Sequence, residues 1–276
     1  MQIRDILKNN YSKEQITRLE MELLLSHVLQ VTRVYLYMCF ALNISEEQYA
    51  RFLQLMQRRL QGEPLAYILG TCEFWDLQFS VTSSVLIPRP ETELLIEIAL
   101  QLLDKNKNSH VADLGTGSGA VALALAHECN NWQIYATDNS WRALQVAKRN
   151  IQDLKLTNIT CLHGEWCNAL PQKQFDAIIS NPPYIAINDP YVQESVRQFE
   201  PPEALFAGED GLDAIRQIIK QAPKKLIAQG WLLLEHGFLQ GESVRELLRQ
   251  YGFCEVQTHK DLSGHDRVTI GRSGCA

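Results

Sequence analysis

The residues that most clearly suggest chemistry follow a short apolar strand and include two prolines. Ile178-Ile179-Ser180 has the composition of a buried strand, and Asn181-Pro182-Pro183-Tyr184 follows it directly. A strand ends at such prolines because they have no backbone N–H to donate. The Asn181 carboxamide offers an acceptor and two donors, Pro182 a carbonyl, and Tyr184 an aromatic face. This notch can hold a flat amide or amine, although Asn-Pro also occurs in ordinary turns.

A second group of residues resembles a ligand-binding loop. Asp113-Leu114 ends an apolar stretch, and a glycine-rich segment separates it from an apolar helix. Glycines at that position allow a tight turn and let a ligand approach the backbone closely. We therefore predict cofactor contacts from Asp113 and from the loop residues Gly115, Thr116, Gly117, Ser118 and Gly119. The alternative is a tight turn that holds no ligand.

The glycine spacing indicates which cofactor to expect. A dinucleotide site has Gly-x-Gly-x-x-Gly, whereas this loop has Gly-x-Gly-x-Gly with Asp113 two residues before it. A carboxylate there repels a pyrophosphate but attracts the amino group and the sulfonium of S-adenosylmethionine. Asp138 ends the next predicted strand, where its carboxylate can accept hydrogen bonds from both ribose hydroxyls. These features predict S-adenosylmethionine and disfavour a nicotinamide-dependent oxidoreductase.

Two residues after the third predicted strand can complete an adenine pocket. The Glu165 carboxylate can accept from the exocyclic amine, and the Trp166 indole can cover the ring. An isolated Trp after a strand is often only a core residue, which is the alternative here. We predict Glu165 and Trp166 as cofactor contacts.

The elements that must position these residues alternate between strands and helices after Lys107. This alternation predicts an α/β fold with a parallel sheet and right-handed crossovers. The last two strands are separated by a short loop, so we expect them to pair antiparallel. We also expect the fourth strand beside the first, which brings the notch next to the glycine loop. The predicted strands are 111–114, 133–138, 159–162, 175–180, 231–235, 255–258 and 267–270.

The first 72 residues have a different pattern. Apolar residues fall at helical spacing, and Ser45 followed by Gln48 resembles a capping box that opens a helix. We predict a small helical domain at 1–72, a β-hairpin linker at 73–87 and a catalytic domain at 88–276. The predicted apolar stripe of the capped helix consists of Tyr49, Phe52, Leu53, Leu55, Met56 and Leu60.

Composition argues against several classes of protein. The chain has 276 residues and a formal net charge of −6, which fits poorly with a broad nucleic-acid-binding face. No segment approaches the roughly 20 apolar residues of a membrane helix, and Arg4, Asp5 and Lys8 stand where a secretory signal would be apolar. Cys161, His163 and Cys167 lack a second ligand cluster, so we predict no metal site. We expect a cytoplasmic monomer without direct nucleic-acid or membrane contact.

The notch and the loop together predict a reaction. An amide nitrogen is a poor nucleophile because its lone pair is delocalised into the carbonyl. If Asn181 and the Pro182 carbonyl accept the two amide hydrogens, the nitrogen faces the sulfonium methyl while Tyr184 packs on the amide plane. Alignment of this kind lowers a barrier by up to about 7 to 11 kcal/mol in the best cases.

At this point the chain resembles a known family, the peptide chain release factor glutamine methyltransferases. The similarity runs from about Leu65 to Arg272, and it is the combination of motifs that is specific. The matching motifs are Glu73-Phe74, Leu86-Ile87-Pro88-Arg89-Pro90-Glu91-Thr92, the loop at 113–119, Asn181-Pro182-Pro183-Tyr184, Arg197-Gln198-Phe199-Glu200-Pro201 and Leu234-Glu235-His236-Gly237.

This resemblance implies methyl transfer from S-adenosylmethionine to the side-chain nitrogen of the glutamine in the Gly-Gly-Gln loop of release factors. It implies a Rossmann-like methyltransferase fold with a mostly parallel seven-stranded sheet and an antiparallel last strand. In the family, the cofactor is held by positions matching 115–119, Asp138, Trp166 and Asn181, and the glutamine by those matching 181–184. Glu165 stands where the family more often has Asp. The helical domain, the least similar part, is implied to grip the release factor.

Three alternatives remain open from sequence. An adenine amino-methyltransferase acting on DNA or RNA can use the same Asn-Pro-Pro-aromatic arrangement, but such enzymes usually carry a basic recognition region. An oxidoreductase is disfavoured by the glycine spacing. A non-catalytic binding module can keep the fold without the activity.

Overall fold

The computed structural model describes residues 1–8 and 16–274. The chain divides into two compact units, Met1–Thr71 and Cys72–Ala276. The boundary falls one residue before the predicted end of the helical domain, and residues 9–15 of that predicted domain lie outside the described residues.

The first unit is helical and has its own apolar core. Ser45 and Gln48 cap the fourth helix reciprocally, because the Ser45 hydroxyl accepts from the Gln48 amide and the Gln48 side chain accepts from the Ser45 amide. This capping box is the one predicted from sequence. The helices are α1 (Ile3–Lys8), α2 (Arg18–Leu29), α3 (Arg33–Met38), α4 (Glu46–Leu60) and α5 (Leu65–Leu69).

The predicted apolar stripe of α4 is only partly correct. Phe52, Leu55 and Met56 are buried, but Leu53 and Leu60 are each 39% exposed. The buried three follow the i, i+3, i+4 spacing of a single helix face. Leu53 falls outside that face, whereas Leu60 continues the spacing but is the last residue of α4, and neither belongs to the core.

The second unit carries nine strands, if the strand that begins at Thr71 is counted with it, and six α-helices among the described residues. The strands are β1 (Thr71–Phe74), β2 (Leu77–Ser80), β3 (Ser109–Leu114), β4 (Trp132–Asp138), β5 (Ile159–His163), β6 (Phe175–Ser180), β7 (Leu226–Glu235), β8 (Cys254–Lys260) and β9 (Asp266–Arg272). The helices are α6 (Glu93–Leu102), α7 (Ala120–Glu128), α8 (Trp141–Asp153), α9 (Glu194–Phe199), α10 (Asp213–Gln221) and α11 (Gly241–Gln250). Short 3₁₀ helices cover Pro90–Thr92, Trp166–Ala169, Pro202–Ala204 and Ala222–Lys224.

The large sheet has seven strands in the order β5-β4-β3-β6-β7-β9-β8. The pairs from β5 to β7 are parallel, and β9 runs antiparallel to both β7 and β8. The predicted mostly parallel sheet with an antiparallel last strand is confirmed. β3 and β6 lie side by side, with Leu114 in register with Ser180. The strand order reverses there, which is where open α/β sheets bind ligands.

Both faces of the sheet are covered, so the apolar residues of its central strands are fully buried on either side. These are Val111, Ala112 and Leu114 of β3 and Ala177, Ile178 and Ile179 of β6. Successive residues of β3 point to opposite faces, so Val111 packs in one core and Ala112 in the other. The first core contains side chains of α6 and α7, and the second those of α10 and α11. The amphipathic helices α10 and α11 were not among the elements predicted from sequence.

The predicted hairpin is formed by β1 and β2. Trp75 and Asp76 form its two-residue turn, both with positive φ (51° and 55°), as a type I′ turn requires. Phe74 and Phe79 are buried in the first core of the second unit. Across the described part of the chain, every helix is too short or too polar to cross a lipid bilayer.

Candidate active site

The glycine loop lies at the carboxyl end of β3 and leads into α7. Gly115, Gly117 and Gly119 all have positive φ (70°, 57° and 90°), which L side chains rarely adopt. The Thr116 amide donates to the Thr137 carbonyl at 2.9 Å, and the Gly119 amide donates to the Thr116 carbonyl at 2.8 Å. The loop is therefore anchored to the neighbouring strand β4. Its backbone path depends on glycine at these three positions.

Asp113 holds this loop in place through hydrogen bonds. Its Oδ2 accepts from the Thr116 hydroxyl at 2.6 Å and from the Ala122 amide at 3.2 Å. The side chain is 2% exposed, and burial raises its pKa to about 6, against these two hydrogen bonds. The carboxylate predicted to contact the cofactor thus also joins the start of α7 to the loop.

Asp138 ends β4 on the opposite side of the loop. Its Oδ2 accepts from the Gly117 amide at 2.9 Å, and its Oδ1 accepts from the Ser140 amide at 2.8 Å. Burial raises the pKa of Asp138, while the two backbone donors lower it. Each carboxylate oxygen has more than one lone pair, so both can still accept from a ligand hydroxyl.

Trp166 and Glu165 have different surroundings, although they are adjacent. The chain turns at Gly164 (φ 149°) and at Trp166 itself (φ 46°), and the indole then lies against the glycine loop. A Cβ on Gly115 would be 3.3 Å from Trp166 Cζ3. Glu165 is exposed and does not line the cavity described next. The predicted contact of Glu165 with the cofactor stays a prediction.

These residues line an open cavity of about 890 Å³, open solvent at its mouth included, here called the glycine-loop cavity. Of the predicted cofactor residues, Gly119 and Glu165 are not in its lining. Gly119 instead allows close packing of α7, because a Cβ there would be 2.5 Å from Leu123 Cδ1. The predicted residues that line the cavity are Asp113, Gly115, Thr116, Gly117, Ser118, Asp138, Trp166 and Asn181.

The Asn-Pro-Pro-Tyr notch follows β6 and separates the glycine-loop cavity from a second one of about 780 Å³, here called the notch cavity. Asn181 lines both cavities. Pro183 lines the first, whereas Pro182 and Tyr184 line the second. The structure therefore brings the notch beside the glycine loop, as the strand order implied, with Asn181 between the two cavities.

One hydrogen bond orients the Asn181 carboxamide. Its Nδ2 donates to Thr92 Oγ1 at 3.0 Å, so the oxygen of the amide is the end left for a substrate. Tyr184 donates from its hydroxyl to Glu235 Oε1 at 3.2 Å, and burial raises the Tyr184 pKa well above its usual range. Thr92 and Glu235 were not predicted as site residues. Glu235 follows three buried leucines at the end of β7, the same position that drew attention to Asp113 and Asp138.

Three more polar residues support the two cavities. Arg89 lines the notch cavity and pairs with the buried Glu200, whose Oε2 accepts from the Ile87 amide at 3.2 Å. Asn150 is 2% exposed and donates to the Ser118 carbonyl at 2.8 Å. It therefore ties α8 to the glycine loop.

His236 follows Glu235 and is fully buried. One ring nitrogen lies 2.7 Å from Thr269 Oγ1 and the other 2.9 Å from the Gly237 carbonyl. Since both nitrogens have partners, His236 fits a structural role in the core better than a catalytic role. Over residues 1–8 and 16–274, no group of three His, Cys, Asp or Glu side chains is placed to hold a metal ion.

The fold and the site define a class of protein, the methyltransferases with an open α/β sheet. A methyltransferase from Pyrococcus furiosus has the same fold, with a TM-score of 0.55 at 17% identity over 80% of this chain and 98% of that one. A family model described as Methyltransferase small domain matches residues 91–198. Another, described as PrmC N-terminal domain, matches residues 2–70.

Curated relatives narrow the class. The chain is 47% identical to the release factor glutamine methyltransferase of Coxiella burnetii over 257 residues, which cover 93% of this chain and 92% of the relative. It is also 47% identical to the enzyme of the same name from Pseudomonas aeruginosa, over 94% of this chain and 93% of the relative. The chain belongs to the release factor glutamine methyltransferase family. The resemblance inferred from the sequence motifs is confirmed.

Proposed function

We propose that this protein transfers a methyl group from S-adenosylmethionine to the side-chain amide nitrogen of a glutamine in peptide chain release factors, the glutamine of their Gly-Gly-Gln motif. The observation that supports this most directly is the position of Asn181. Its carboxamide lies between the two cavities, and its nitrogen is already bonded to Thr92. The free end is an acceptor, which suits a substrate that brings N–H groups.

The glycine-loop cavity suits S-adenosylmethionine. Asp138 offers carboxylate lone pairs at the end of β4, and the Trp166 ring gives the cavity an aromatic wall beside Gly115. The buried Asp113 adds negative charge that a sulfonium tolerates and a pyrophosphate does not. When bound, S-adenosylmethionine supplies an electrophilic methyl group. The transfer leaves S-adenosylhomocysteine and releases one proton of the amide. The residues of this chain bind and orient, and none of them needs to form a covalent bond.

The notch orients the substrate amide. We assign the two amide hydrogens of the glutamine to Asn181 Oδ1 and to the Pro182 carbonyl, with Tyr184 against the amide plane. A ligand that lacks these hydrogens leaves both acceptors unpaired, and buried unpaired acceptors cost about 1–3 kcal/mol each. The notch therefore selects a primary amide as well as aligning it.

The remaining assignments concern the rest of the chain. We assign residues 1–72 to a helical substrate-recognition domain, 73–87 to a β-hairpin linker and 88–276 to the methyltransferase domain. The protein acts as a cytoplasmic monomer whose partner is the release factor, with no direct contact to nucleic acid or membrane. The net charge of −6 agrees with a protein partner.

Mass spectrometry of a release factor incubated with the protein and S-adenosylmethionine tests this function. We expect one methyl group on the motif glutamine and none on a release factor in which glutamate replaces that glutamine. Calorimetry should detect binding of S-adenosylmethionine and not of NAD. A methyl group on adenine in DNA or RNA, with the glutamine unmodified, would select the nucleic-acid alternative instead.

A further inference from the structure

Gln240 joins three segments of the chain beside the notch. It stands at the N-cap of α11, where Ser, Thr, Asp or Asn is usual, and its side chain makes no capping bond to that helix. Instead, Oε1 accepts from the Gly237 amide at 2.8 Å. Nε2 donates to the Tyr184 carbonyl at 3.0 Å and to the Asp210 carbonyl at 3.1 Å. Capping of α11 therefore does not account for this side chain.

The partners of the Gln240 carboxamide fix its orientation. A backbone amide can only donate, and a backbone carbonyl can only accept. All three partners are satisfied in only one of the two orientations, with Oε1 toward Gly237 and Nε2 toward the two carbonyls. Both protons of the NH₂ group are then used. The contact with Tyr184 thus requires the donor end of a primary amide.

Two glycines let these segments approach closely enough for one side chain to join them. A Cβ at Gly211 would overlap the Tyr184 carbonyl oxygen and would lie 2.8 Å from Gln240 Nε2. Gly211 also has a positive φ of 75°, which L side chains rarely adopt. A Cβ at Gly237 would lie 3.0 Å from Gln240 Oε1 and 3.7 Å from Tyr184 Cδ2. The backbone beside the notch is therefore packed tightly around the Gln240 amide.

Tyr184 is held at its backbone as well as at its ring. The peptide unit that joins Tyr184 to Ile185 is bonded on both sides, because its oxygen accepts from Gln240 and its N–H donates to the Leu205 carbonyl at 3.0 Å. The phenolic hydroxyl donates to Glu235 Oε1 at 3.2 Å. The position of the ring in the notch cavity therefore depends on both groups of bonds.

We propose that Gln240 is a positioning residue that fixes the Tyr184 carbonyl and thereby holds the Tyr184 ring against the plane of the substrate amide. This inference rests on the proposed function and adds a residue on which alignment of the substrate depends. Gln240 lines neither cavity, so it acts through Tyr184 and touches neither substrate nor cofactor. Its loss should lower kcat and leave the affinity for S-adenosylmethionine unchanged, because Tyr184 lines the notch cavity and not the glycine-loop cavity.

Two variants of the full-length protein, with a release factor as substrate, separate the bonds of Gln240. Gln240→Ala removes all three. Gln240→Glu keeps the shape and the acceptor for the Gly237 amide, but it places a carboxylate oxygen against the Tyr184 and Asp210 carbonyls. We expect kcat to fall about tenfold in Gln240→Ala, the effect of one ordinary hydrogen bond on a rate, and at least as far in Gln240→Glu.

Gln133→Ala is the matched control for loss of a glutamine that donates twice. Gln133 Nε2 donates to the Asn158 carbonyl at 3.2 Å and to the Thr160 hydroxyl at 3.3 Å, at the amino end of β4 and outside the lining of both cavities. Its variant should keep the kcat of wild type. Urea unfolding of all the variants shows how much stability each substitution removes.

A double variant separates positioning from support of the fold. If Gln240 acts through the Tyr184 ring, its loss has little left to displace once the ring is removed. Gln240→Ala should therefore lower kcat by less than about threefold in a Tyr184→Ala background, against about tenfold in the wild-type background. A contribution to stability alone would act equally in both. The Kd for S-adenosylmethionine should match wild type in each variant, which also shows that the variants are folded.

Three results would overturn the proposal and leave the proposed function intact. The first is wild-type kcat in Gln240→Glu, since the bond to Gly237 would then suffice. The second is a raised KM with unchanged kcat, which indicates binding and not alignment. The third is an equal fall of kcat on Gln240→Ala with and without the Tyr184 ring, and this comparison decides alone if Gln240→Glu does not fold. If Tyr184→Ala has no measurable turnover, Gln240→Glu decides alone. A wild-type protein that leaves the glutamine unmethylated overturns the proposed function, and this inference with it.

Discussion

The two cavities that meet at Asn181 are built in different ways. In the glycine-loop cavity, most of the residues predicted for the cofactor come from one continuous segment, 113–118, with Asp138 added from the adjacent strand, although residues from 84–88 and 201–204 also line it. The acceptor end of the notch depends instead on side chains far apart in the chain. Asn181 and Thr92 are separated by 89 positions, and Tyr184 and Glu235 by 51. The first cavity is shaped by backbone conformation, and the second by a side-chain network.

This difference separates affinity from turnover. A cavity shaped by glycines and backbone amides is preorganised for binding, since its groups lose little freedom when a ligand enters. A network of side-chain hydrogen bonds that orients one carboxamide affects the alignment of the reacting atoms. Changes in the glycine loop should therefore alter cofactor affinity, whereas changes in the network should alter kcat.

The largest effect is expected for Asn181→Ala. Removing the carboxamide deletes the acceptor that we propose faces the substrate amide, and loss of one such oriented group costs about 100- to 1,000-fold in kcat. Affinity for S-adenosylmethionine should stay within about tenfold, because most of the glycine-loop cavity is unchanged. Single-turnover kinetics and calorimetry measure the two quantities.

The control for this variant is Asn130→Ala, at an exposed position away from both cavities. It should match wild type in both measurements. Wild-type turnover by Asn181→Ala would contradict the proposed difference between the two cavities, because the notch would then contribute nothing to aligning the reacting atoms. A rise in KM with unchanged kcat would mean that Asn181 contributes only uniform binding.

The same difference explains what could be predicted from sequence. The glycine loop is contiguous and its carboxylates end strands, so periodicity and strand order suffice to bring them together. Glu235 also ends a strand, but Thr92 carries no local pattern of this kind. The contact of Thr92 with Asn181 and that of Glu235 with Tyr184 depend on how the start of α6 packs against the ends of β6 and β7, which only the tertiary structure specifies. Glu165 was assigned from its place after the third strand, and the structure leaves it exposed and outside the lining of the glycine-loop cavity.

An intermediate effect is expected for Asn150→Ala, which tests how the loop is held. Asn150 donates to the Ser118 and Ser80 carbonyls at 2.8 and 3.0 Å and accepts from the Ser80 amide at 2.7 Å. Leaving these backbone groups unpaired should lower the free energy of unfolding by about 1–3 kcal/mol. Urea unfolding measures it. The Kd for S-adenosylmethionine should also rise, since Ser118 lines the glycine-loop cavity.

Asn158→Ala is the matched control for loss of a bridging asparagine. Its Nδ2 lies within 3.0–3.3 Å of the Trp132, Cys129 and Ala126 carbonyls, at the amino end of β4 and away from the cavities. The Asn158→Ala variant should lower the free energy of unfolding by a comparable amount and leave the Kd for S-adenosylmethionine unchanged. Equal effects of the two variants on the Kd would show that stability alone, and not the position of the loop, sets cofactor affinity.

The smallest effect is expected for Gly115→Ala. The substitution forces an L side chain to φ 70° and places a Cβ 3.3 Å from Trp166 Cζ3. The strained backbone conformation costs about 1–2 kcal/mol, and relaxation of the loop or the ring should raise the Kd for S-adenosylmethionine about tenfold.

The matched control is Gly252→Ala, which has the same kind of backbone cost at φ 81°, with nothing within 4 Å of the added Cβ. Because Gly252 lies outside both cavities, its variant should lose stability and keep the Kd. A Gly115→Ala protein with normal affinity but reduced kcat would show that the glycine loop also aligns the reacting atoms, so the division between the two cavities would not hold.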